Sequence, residues 1–363
     1  MSEPESAQRA RRTRVERVIA AGRRVADPGD PLGVEARRRL PSTTGLSPEG
    51  VELALTEHLE TWPGEDELRA LLAGAGEARR CQVVLAANVC TASLRALAVA
   101  AATAPEVLVR PSRRDPVVTE ALVEALREDG AFAGRVALVT AVDLAGGGAG
   151  PEELHIYGSD ETVAALRAQA GPEVIVRGHG TGMGLAVIGA DADLEAAARD
   201  LAADIVPFDQ RGCLSPRIAL VEGPPDRADA LARALHDALG RAEARVPRGP
   251  LDEAMRADIA MYGATLEAVG AWWEGPGHGV GLDPAPRSLL LPPAARIAHV
   301  AAADAARLDA LLGPWAGVIT AIGATSTGPL VEAVTRIASR ARRSLLGRMQ
   351  RPPLDGPVDL RVR

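Results

Sequence analysis

The chain has 363 residues, of which 47% are hydrophobic and 25% are charged, and this ordinary globular balance excludes wholesale disorder. The formal net charge is −7 and the aromatic residues are four Trp, two Tyr and two Phe, so a nucleic-acid-binding surface is not expected. All 41 basic residues are Arg, and the absence of Lys excludes Schiff-base catalysis and any phosphate-binding loop built on Lys.

Targeting and redox signals are sparse. No apolar run reaches the ~18 residues that a membrane helix needs, so no membrane span is expected. Residues 1–20 are polar and rich in Arg, and they lack a signal-peptide core, so they predict a flexible N-terminal arm. The three cysteines, Cys81, Cys90 and Cys213, have no metal-type spacing. They indicate a reduced, cytoplasmic protein without a metal site.

The predicted elements alternate along most of the chain. Apolar residues at helical spacing predict helices at 48–62 and 66–72. Strands are then predicted at 82–87, 106–110, 135–140, 155–157, 173–177, 185–188, 217–221, 298–301 and 317–322. Helices are predicted at 91–104, 115–128, 160–170, 193–205, 226–244, 304–312 and 329–340. This alternation predicts open, doubly wound α/β sheets with parallel strands.

Breaks and caps refine this outline. We expect Ser159 and Asp191 to cap the helices that follow them. The stretch 145–150 is rich in Gly and is predicted as a loop, and 245–297 is rich in Pro and Gly without a clear pattern. The alternation of strands and helices is interrupted near 177–184 and then starts again, which predicts two α/β domains.

A Gly-rich segment, Gly-His-Gly-Thr-Gly-Met-Gly at 178–184, lies at that break. A dinucleotide fingerprint follows a strand, opens a helix and has an acidic residue about 20 positions later. Here the glycines lie between two predicted strands. A flexible connection between domains is therefore the better interpretation.

Two residues are candidates for thiol chemistry. Cys213 lies in a predicted loop between a helix and a strand, and His179 lies 34 residues upstream in the Gly-rich segment. A Cys with a His elsewhere in the fold is the usual material for thiolate activation. Burial of Cys213 as a small apolar residue, and a structural role for His179, stay open on this evidence.

A third candidate is Arg-Pro-Ser-Arg-Arg at 110–114, directly after a predicted strand. Arg binds phosphate through two parallel hydrogen bonds, so this strand end could hold a phosphate group. A solvated turn is the alternative.

Six segments between about residues 80 and 221 resemble, in the same order, motifs of the aldehyde dehydrogenase superfamily. They are Ala-Ala-Asn-Val-Cys at 86–90, Arg-Pro-Ser-Arg at 110–113, Gly-Ser at 158–159, His-Gly-Thr-Gly at 179–182, Asp-Ala-Asp-Leu at 191–194 and Gln-Arg-Gly-Cys at 210–213. Their collinear order carries the resemblance. Within the superfamily the chain is similar to acyl-CoA and acyl-protein reductases of the bacterial bioluminescence type, including at 315–323 and 346–356.

The resemblance implies an aldehyde dehydrogenase-like fold of two doubly wound α/β domains. After the arm at 1–20, it implies a cofactor domain at 21–178 and a catalytic domain at 179–325. A C-terminal segment at 326–363 would return to the first domain and serve oligomerisation.

The resemblance also implies catalytic roles. Cys213 would attack a thioester carbonyl as a thiolate, and the Asn88 amide would hold the oxyanion. Hydrolytic members of the superfamily carry a Glu where this chain has His179. His179 therefore suits acyl exchange with a thiol better than the oxidation of an aldehyde to an acid.

Cofactor residues follow in the same way: Arg110, Ser112 and Arg113 would face the adenosine ribose, and Gly158 and Ser159 would border the phosphates. A family Glu that discourages a 2′-phosphate is Arg113 here, which favours NADPH over NADH.

The implied activity is NADPH-dependent reduction of a fatty acyl thioester, from acyl-CoA or an acyl-carrier protein, by a cytoplasmic homo-oligomer. Reduction of an acyl phosphate is the enzymatic alternative, which Arg211 and Arg217 near Cys213 keep open. A degenerate scaffold protein that binds partners without turnover is the other alternative.

Overall fold

A computed structural model describes residues 3–130, 135–146 and 150–361, with residues 147–149 of the predicted Gly-rich loop outside that part. The chain divides into two compact units. Unit 1 is Met1–Thr181 together with Pro353–Arg363, and unit 2 is Gly182–Pro352. In the described part of the chain, no helix is long and apolar enough to cross a membrane.

Unit 1 opens with four helices before its first strand: α1 Glu3–Ala26, α2 Pro31–Thr44, α3 Pro48–Glu57 and α4 Glu65–Gly74. The predicted flexible arm at 1–20 is corrected here, because its described residues belong to α1. Val15, Val18 and Ile19 are buried, forming the apolar side of an otherwise Arg-rich helix. Arg14 fastens this helix by donating from Nε to the carbonyl of Ala101 at 2.8 Å.

The rest of unit 1 is an open parallel sheet with its helices. The elements are β1 Arg80–Val84, α5 Ala92–Thr103, β2 Glu106–Arg110, α6 Val117–Glu128, β3 Val136–Leu138, β4 Glu152–Tyr157, α7 Asp160–Gln169 and β5 Val174–His179. The strand order is β3-β2-β1-β4-β5, with every pair parallel. Its switch point lies between β1 and β4, where the loops after these two strands diverge.

Unit 2 contains a seven-stranded sheet. Its elements are β6 Met183–Ile188, α8 Leu194–Ile205, β7 Pro216–Glu222, α9 Pro225–Glu243, α10 Glu253–Val269, β8 Ala271–Gly275, β9 His278–Asp283, β10 Ile297–Ala303, α11 Leu308–Leu312, β11 Ile319–Ala324, α12 Pro329–Ile337 and β12 Arg342–Leu345. The order is β12-β11-β6-β7-β10-β9-β8, and only β8 runs antiparallel to its neighbour. Central strands are fully buried, as expected for a parallel sheet covered on both faces.

Several differences from the sequence prediction lie in unit 2, among them strand β12, which was not predicted. The unassigned stretch 245–297 holds α10 and the hairpin of β8 and β9. The cap of α8 is Asp193, whose Oδ1 accepts from the N–H groups of Glu195 and Ala196, and Asp191 is not the cap as predicted. Ser159 caps α7 as predicted.

Candidate active site

Cys213 differs from the other two cysteines in exposure. It is half-buried on the loop between α8 and β7, whereas Cys81 and Cys90 are 0% and 5% exposed. Burial raises the pKa of the Cys81 thiol well above its usual range and raises the pKa of Cys90 to about 12. A nucleophilic thiol must be deprotonated and accessible. Cys213 therefore meets the accessibility requirement that the other two thiols fail.

Short-range hydrogen bonds shape the loop around Cys213. The Ser215 N–H donates to the Gly212 carbonyl at 3.0 Å, closing a turn that contains Cys213. Thr320, at the start of β11, has its hydroxyl within hydrogen-bond distance of the carbonyls of Cys213 and Met183, which share its single proton. Sequence reasoning missed Thr320 because it lies 107 residues from Cys213 and belongs to no motif. The Thr320 hydroxyl, near the amino end of the buried strand β11, therefore contacts the backbone of the Cys213 loop and restrains it.

The acyl-phosphate alternative needs cations directed at Cys213. Arg217 is half-buried and donates to the Pro292 carbonyl, and Arg211 lies 3.8 Å from a carboxylate oxygen of Asp209. Arg217 has no carboxylate partner among the described residues, and its Nε has no hydrogen-bond partner there, so its charge is not neutralised by a neighbouring carboxylate. The acyl-phosphate alternative therefore stays open.

His179 is the last residue of β5, at the carboxyl edge of the unit 1 sheet. Its ring stacks on Tyr157 with centroids 4.6 Å apart and an interplanar angle of 18°. Burial lowers the pKa of His179 to about 4, an effect that nearby His155 and Arg177 strengthen and Asp359 opposes. An imidazole with this pKa is neutral at pH 7 and can accept a proton, but it is a weak base, because general bases work best with a pKa near the working pH.

A polar chain lies beside His179 on the same sheet. His155 Nε2 lies 2.9 Å from Glu153 Oε2, and the Arg177 guanidinium donates to the same carboxylate at 2.5 and 3.1 Å. Burial opposes ionisation of Glu153, but the hydrogen bonds from His155 and Arg177 outweigh it and lower the pKa to about 2. Sequence reasoning singled out neither Glu153 nor His155, although their i, i+2 spacing on one strand face was a usable signal.

The predicted residues of unit 1 share one edge of its sheet. Asn88 is exposed on the loop after β1, and Gly158 and Ser159 follow β4. These two loops flank the switch point, where open α/β sheets bind their ligands. Arg110 ends β2, which neighbours β1 in the sheet.

The chemistry of this edge fits a phosphate-bearing cofactor. The side chains of Arg110 and Arg113 make no ion pair with any residue in the described part of the chain, so their charges are available. Ser112 accepts from the Arg114 N–H at 3.2 Å and forms a turn. The first turn of α7 carries Asp160 and Glu161, so the fit rests on the two arginines rather than on that helix terminus.

Asn88, His179 and the cofactor candidates belong to unit 1, whereas Cys213 belongs to unit 2. The structure therefore brings Asn88, His179 and the cofactor candidates to one edge of the unit 1 sheet. That Cys213 lies close to Asn88 and His179 in the active site stays a prediction. Among the described residues, no cluster of His, Cys, Asp and Glu is arranged to hold a metal ion.

Solved structures with the same fold are aldehyde dehydrogenases and related oxidoreductases. An oxidoreductase from Marinobacter aquaeolei matches with a TM-score of 0.69 at 14% identity, covering 97% of this chain and 83% of that one. Aldehyde dehydrogenase 21 from Physcomitrella patens matches with a TM-score of 0.68 at 14% identity, covering 94% and 78%. An NAD-dependent benzaldehyde dehydrogenase from Corynebacterium glutamicum matches with a TM-score of 0.64 at 16% identity, covering 93% and 80%.

These likenesses confirm the predicted aldehyde dehydrogenase fold. A search of curated proteins finds no match to the sequence. The sequence profile of the acyl-CoA reductase (LuxC) family matches residues 52–271, which is more than half of the chain. The chain therefore belongs to the acyl-CoA reductase (LuxC) family, oxidoreductases with the aldehyde dehydrogenase fold.

Proposed function

We propose that the protein reduces a fatty acyl thioester to an aldehyde, with NADPH as reductant and Cys213 as the acyl carrier. The observation that carries the proposal is the position of Cys213. It is the partly exposed cysteine of the chain, on a loop of the segment matched by the acyl-CoA reductase family. The two other thiols are buried and protonated.

The reaction begins when the Cys213 thiolate attacks the thioester carbonyl. The Asn88 amide and the Cys213 N–H would donate to the developing oxyanion. His179, neutral at pH 7, would accept the thiol proton and return it to the departing carrier thiol. The carbon–sulfur bond of the substrate breaks as the new bond to Cys213 remains, so the acyl group is transferred without net oxidation.

Bound NADPH would supply the hydride that reduces the acyl group on Cys213. Arg110, Ser112 and Arg113 are proposed to face its ribose, with Gly158 and Ser159 beside its phosphates. The unpaired guanidinium groups of Arg110 and Arg113 support a 2′-phosphate, since Arg binds phosphate bidentately. Release of the aldehyde regenerates the Cys213 thiol.

The test is acyl-enzyme formation with palmitoyl-CoA in the absence of cofactor. Mass spectrometry is expected to find one acyl group on the wild-type chain, located on Cys213, and none on Cys213→Ala. Cys90→Ala is the matched control and should be acylated like wild type, because Cys90 is buried.

Addition of NADPH should then release aldehyde faster than addition of NADH. An adduct retained by Cys213→Ala would refute the mechanism. Acylation by an acyl phosphate but not by the acyl-CoA would favour the alternative substrate class, and failure of every substrate would leave the scaffold alternative.

A further inference from the structure

The backbone just before Cys213 has an uncommon conformation. Phe208, Asp209 and Gln210 have φ angles of 56°, 49° and 64°, so three successive residues with side chains are left-handed. On the segment that faces them, Ala295 and Arg296 have φ angles of 80° and 64°. Residues other than Gly adopt this region uncommonly, Asn and Asp more often than the rest, and a run of three needs support from its surroundings. The contacts of these residues therefore decide the shape of the nucleophile loop.

One such contact is a buried ion pair. Arg296 Nε and Nη2 lie 3.0 and 2.8 Å from Asp209 Oδ1, and both residues are 1% exposed. The other carboxylate oxygen of Asp209 accepts from the Gly249 N–H at 3.1 Å, and the Asp209 carbonyl accepts from the Ala295 N–H at 3.1 Å. Arg296 Nη1 is held in turn by Glu243 Oε2 at 2.9 Å. Separating the two side chains would leave a buried charge without a partner, so the geometry of the Arg296–Asp209 pair is strongly fixed.

The second contact is the side chain of Gln210. Its Nε2 donates to the carbonyls of Pro216 and Ile297 at 2.8 and 2.9 Å, and its Oε1 accepts from the Ile297 N–H at 2.8 Å. This amide therefore ties the loop to the first residues of β7 and β10. Cys213 lies midway between Gln210 and Pro216, the two ends of the tied segment. The hydrogen bond from Gln210 to the Pro216 carbonyl therefore limits the backbone conformations open to Cys213.

We propose that Arg296, Asp209 and Gln210 are positioning residues that fix the loop so that Cys213 presents its thiol and N–H to the thioester. They act through the backbone and touch neither substrate nor cofactor. This inference rests on the proposed role of Cys213 as acyl carrier. It predicts that loosening these contacts slows acyl transfer more than it weakens thioester binding, because a displacement of about 1 Å can cost a hundredfold in rate.

The test uses Gln210→Met, which keeps the shape and removes three hydrogen bonds, and Arg296→Lys, which keeps the charge and removes the guanidinium fork. The rate constant of acylation of Cys213 by palmitoyl-CoA is measured over a range of concentrations. Both variants should acylate about tenfold or more slowly at saturation, with half-saturation within about twofold of wild type.

The matched control is Leu231→Ala, in α9. Leu231 is fully buried, so its truncation destabilises unit 2, and none of the contacts described above involves it. A purely structural role lowers the amplitude of acylation, since fewer molecules are folded, but leaves the rate constant of the folded fraction unchanged. Leu231→Ala should behave in that way. Wild-type rate constants in both Gln210→Met and Arg296→Lys would overturn the inference, whatever their amplitudes.

If the wild-type chain forms no acyl adduct, the proposed function has failed, and the inference is tested on alkylation of Cys213 by iodoacetamide instead. The rate should change at least threefold in Gln210→Met and Arg296→Lys and stay unchanged in Leu231→Ala. Equal rates in all the proteins would overturn it. If Arg296→Lys does not fold, Asp209→Asn is used in its place, because it removes the negative charge of the same ion pair.

Discussion

At the scale of single residues, the lowered pKa of His179 is explained by the Tyr157 ring that stacks on its imidazole. The Tyr157 ring lies parallel to the imidazole, and neither the Tyr157 hydroxyl nor His179 Nδ1 has a hydrogen-bond partner in the described part of the chain. A proton added to the His179 imidazole would create a buried positive charge with few hydrogen bonds to stabilise it. This explains why burial is the leading cause of the lowered pKa.

The proposed base should therefore stay neutral well below pH 6. In a titration followed by NMR, the His179 ring should protonate with a pKa near 4, against an ordinary value of 6.5. Tyr157→Ala should move that pKa up towards 6.5, because water reaches the ring. Tyr157→Phe keeps the stacked ring and should leave it unchanged. Equal pKa values in the two variants would contradict the role assigned to the Tyr157 ring.

The sign of the associated stability change follows from linkage. Between pH 6.5 and 4 the unfolded chain binds a proton at His179 that the native state does not. The native state therefore loses stability as the pH falls through this window, and Tyr157→Ala should reduce that loss.

The candidate residues were only partly predictable from sequence. Cys213 and His179 were found through ordered resemblance to a family, and their chemistry is readable from residue type. Arg296 was not found, and Gln210 was found only as part of the Gln-Arg-Gly-Cys motif, without a role, because Asp209 and Arg296, and Gln210 and Ile297, are 87 residues apart and no spacing rule connects them. Long-range hydrogen bonding of this kind leaves no periodic signal in a sequence.

At the scale of elements, prediction succeeded where apolar strands alternate with helices and failed where that pattern is weak. The hairpin of β8 and β9 was missed because three of its eleven residues are Gly, and fully buried β9 reads His-Gly-Val-Gly-Leu-Asp. Helix α1 was missed because Arg dominates its composition and conceals the buried stripe of Val15, Val18 and Ile19. Burial, not composition, decides both elements.

Helix α8 offers a test of element stability, since it leads into the nucleophile loop. Asp193→Ala should lower the free energy of unfolding by about 1 kcal/mol, because two N–H groups of the first turn lose their acceptor. Asp191→Ala is the matched control and should change little, as its exposed side chain does not cap the helix. Urea unfolding measures both. A larger effect of Asp191→Ala than of Asp193→Ala would contradict this assignment of the cap.

At the scale of the whole molecule, the chain leaves unit 1 after Thr181 and re-enters it at Pro353. The segment that re-enters unit 1 is shorter than the predicted C-terminal segment 326–363, because unit 2 extends to Pro352. The oligomerisation role predicted for the C-terminal segment 326–363 stays a prediction. Within that segment, Met349 and Leu354 are 2% and 1% exposed, so their side chains are not available to a partner subunit.

Arg95 is one of the residues that hold the returning segment, Pro353–Arg363, within unit 1. It is 3% exposed in α5, and its guanidinium donates to the carbonyls of Gly356 and Pro353 at 2.7 and 2.9 Å. The same group donates to both carboxylate oxygens of Glu60. One side chain therefore joins three separate parts of the chain, and its loss removes charge-assisted bonds to all of them.

Arg95→Met should accordingly lower the stability of unit 1 by about 3 kcal/mol, since it leaves the Glu60 carboxylate without its cation and two carbonyls without their donor. The returning segment should also become a substrate for proteases under native conditions. Arg233→Met is the matched control, because Arg233 pairs with Asp229 on the surface, where solvent screens the pair, and its loss should lower stability much less than Arg95→Met. Urea unfolding and timed proteolysis followed by mass spectrometry measure the two effects. Equal unfolding midpoints and equal cleavage rates in both variants would show that Arg95 does not hold the segment, and that the remaining contacts, such as the Leu354 N–H to Glu67 at 2.7 Å, suffice.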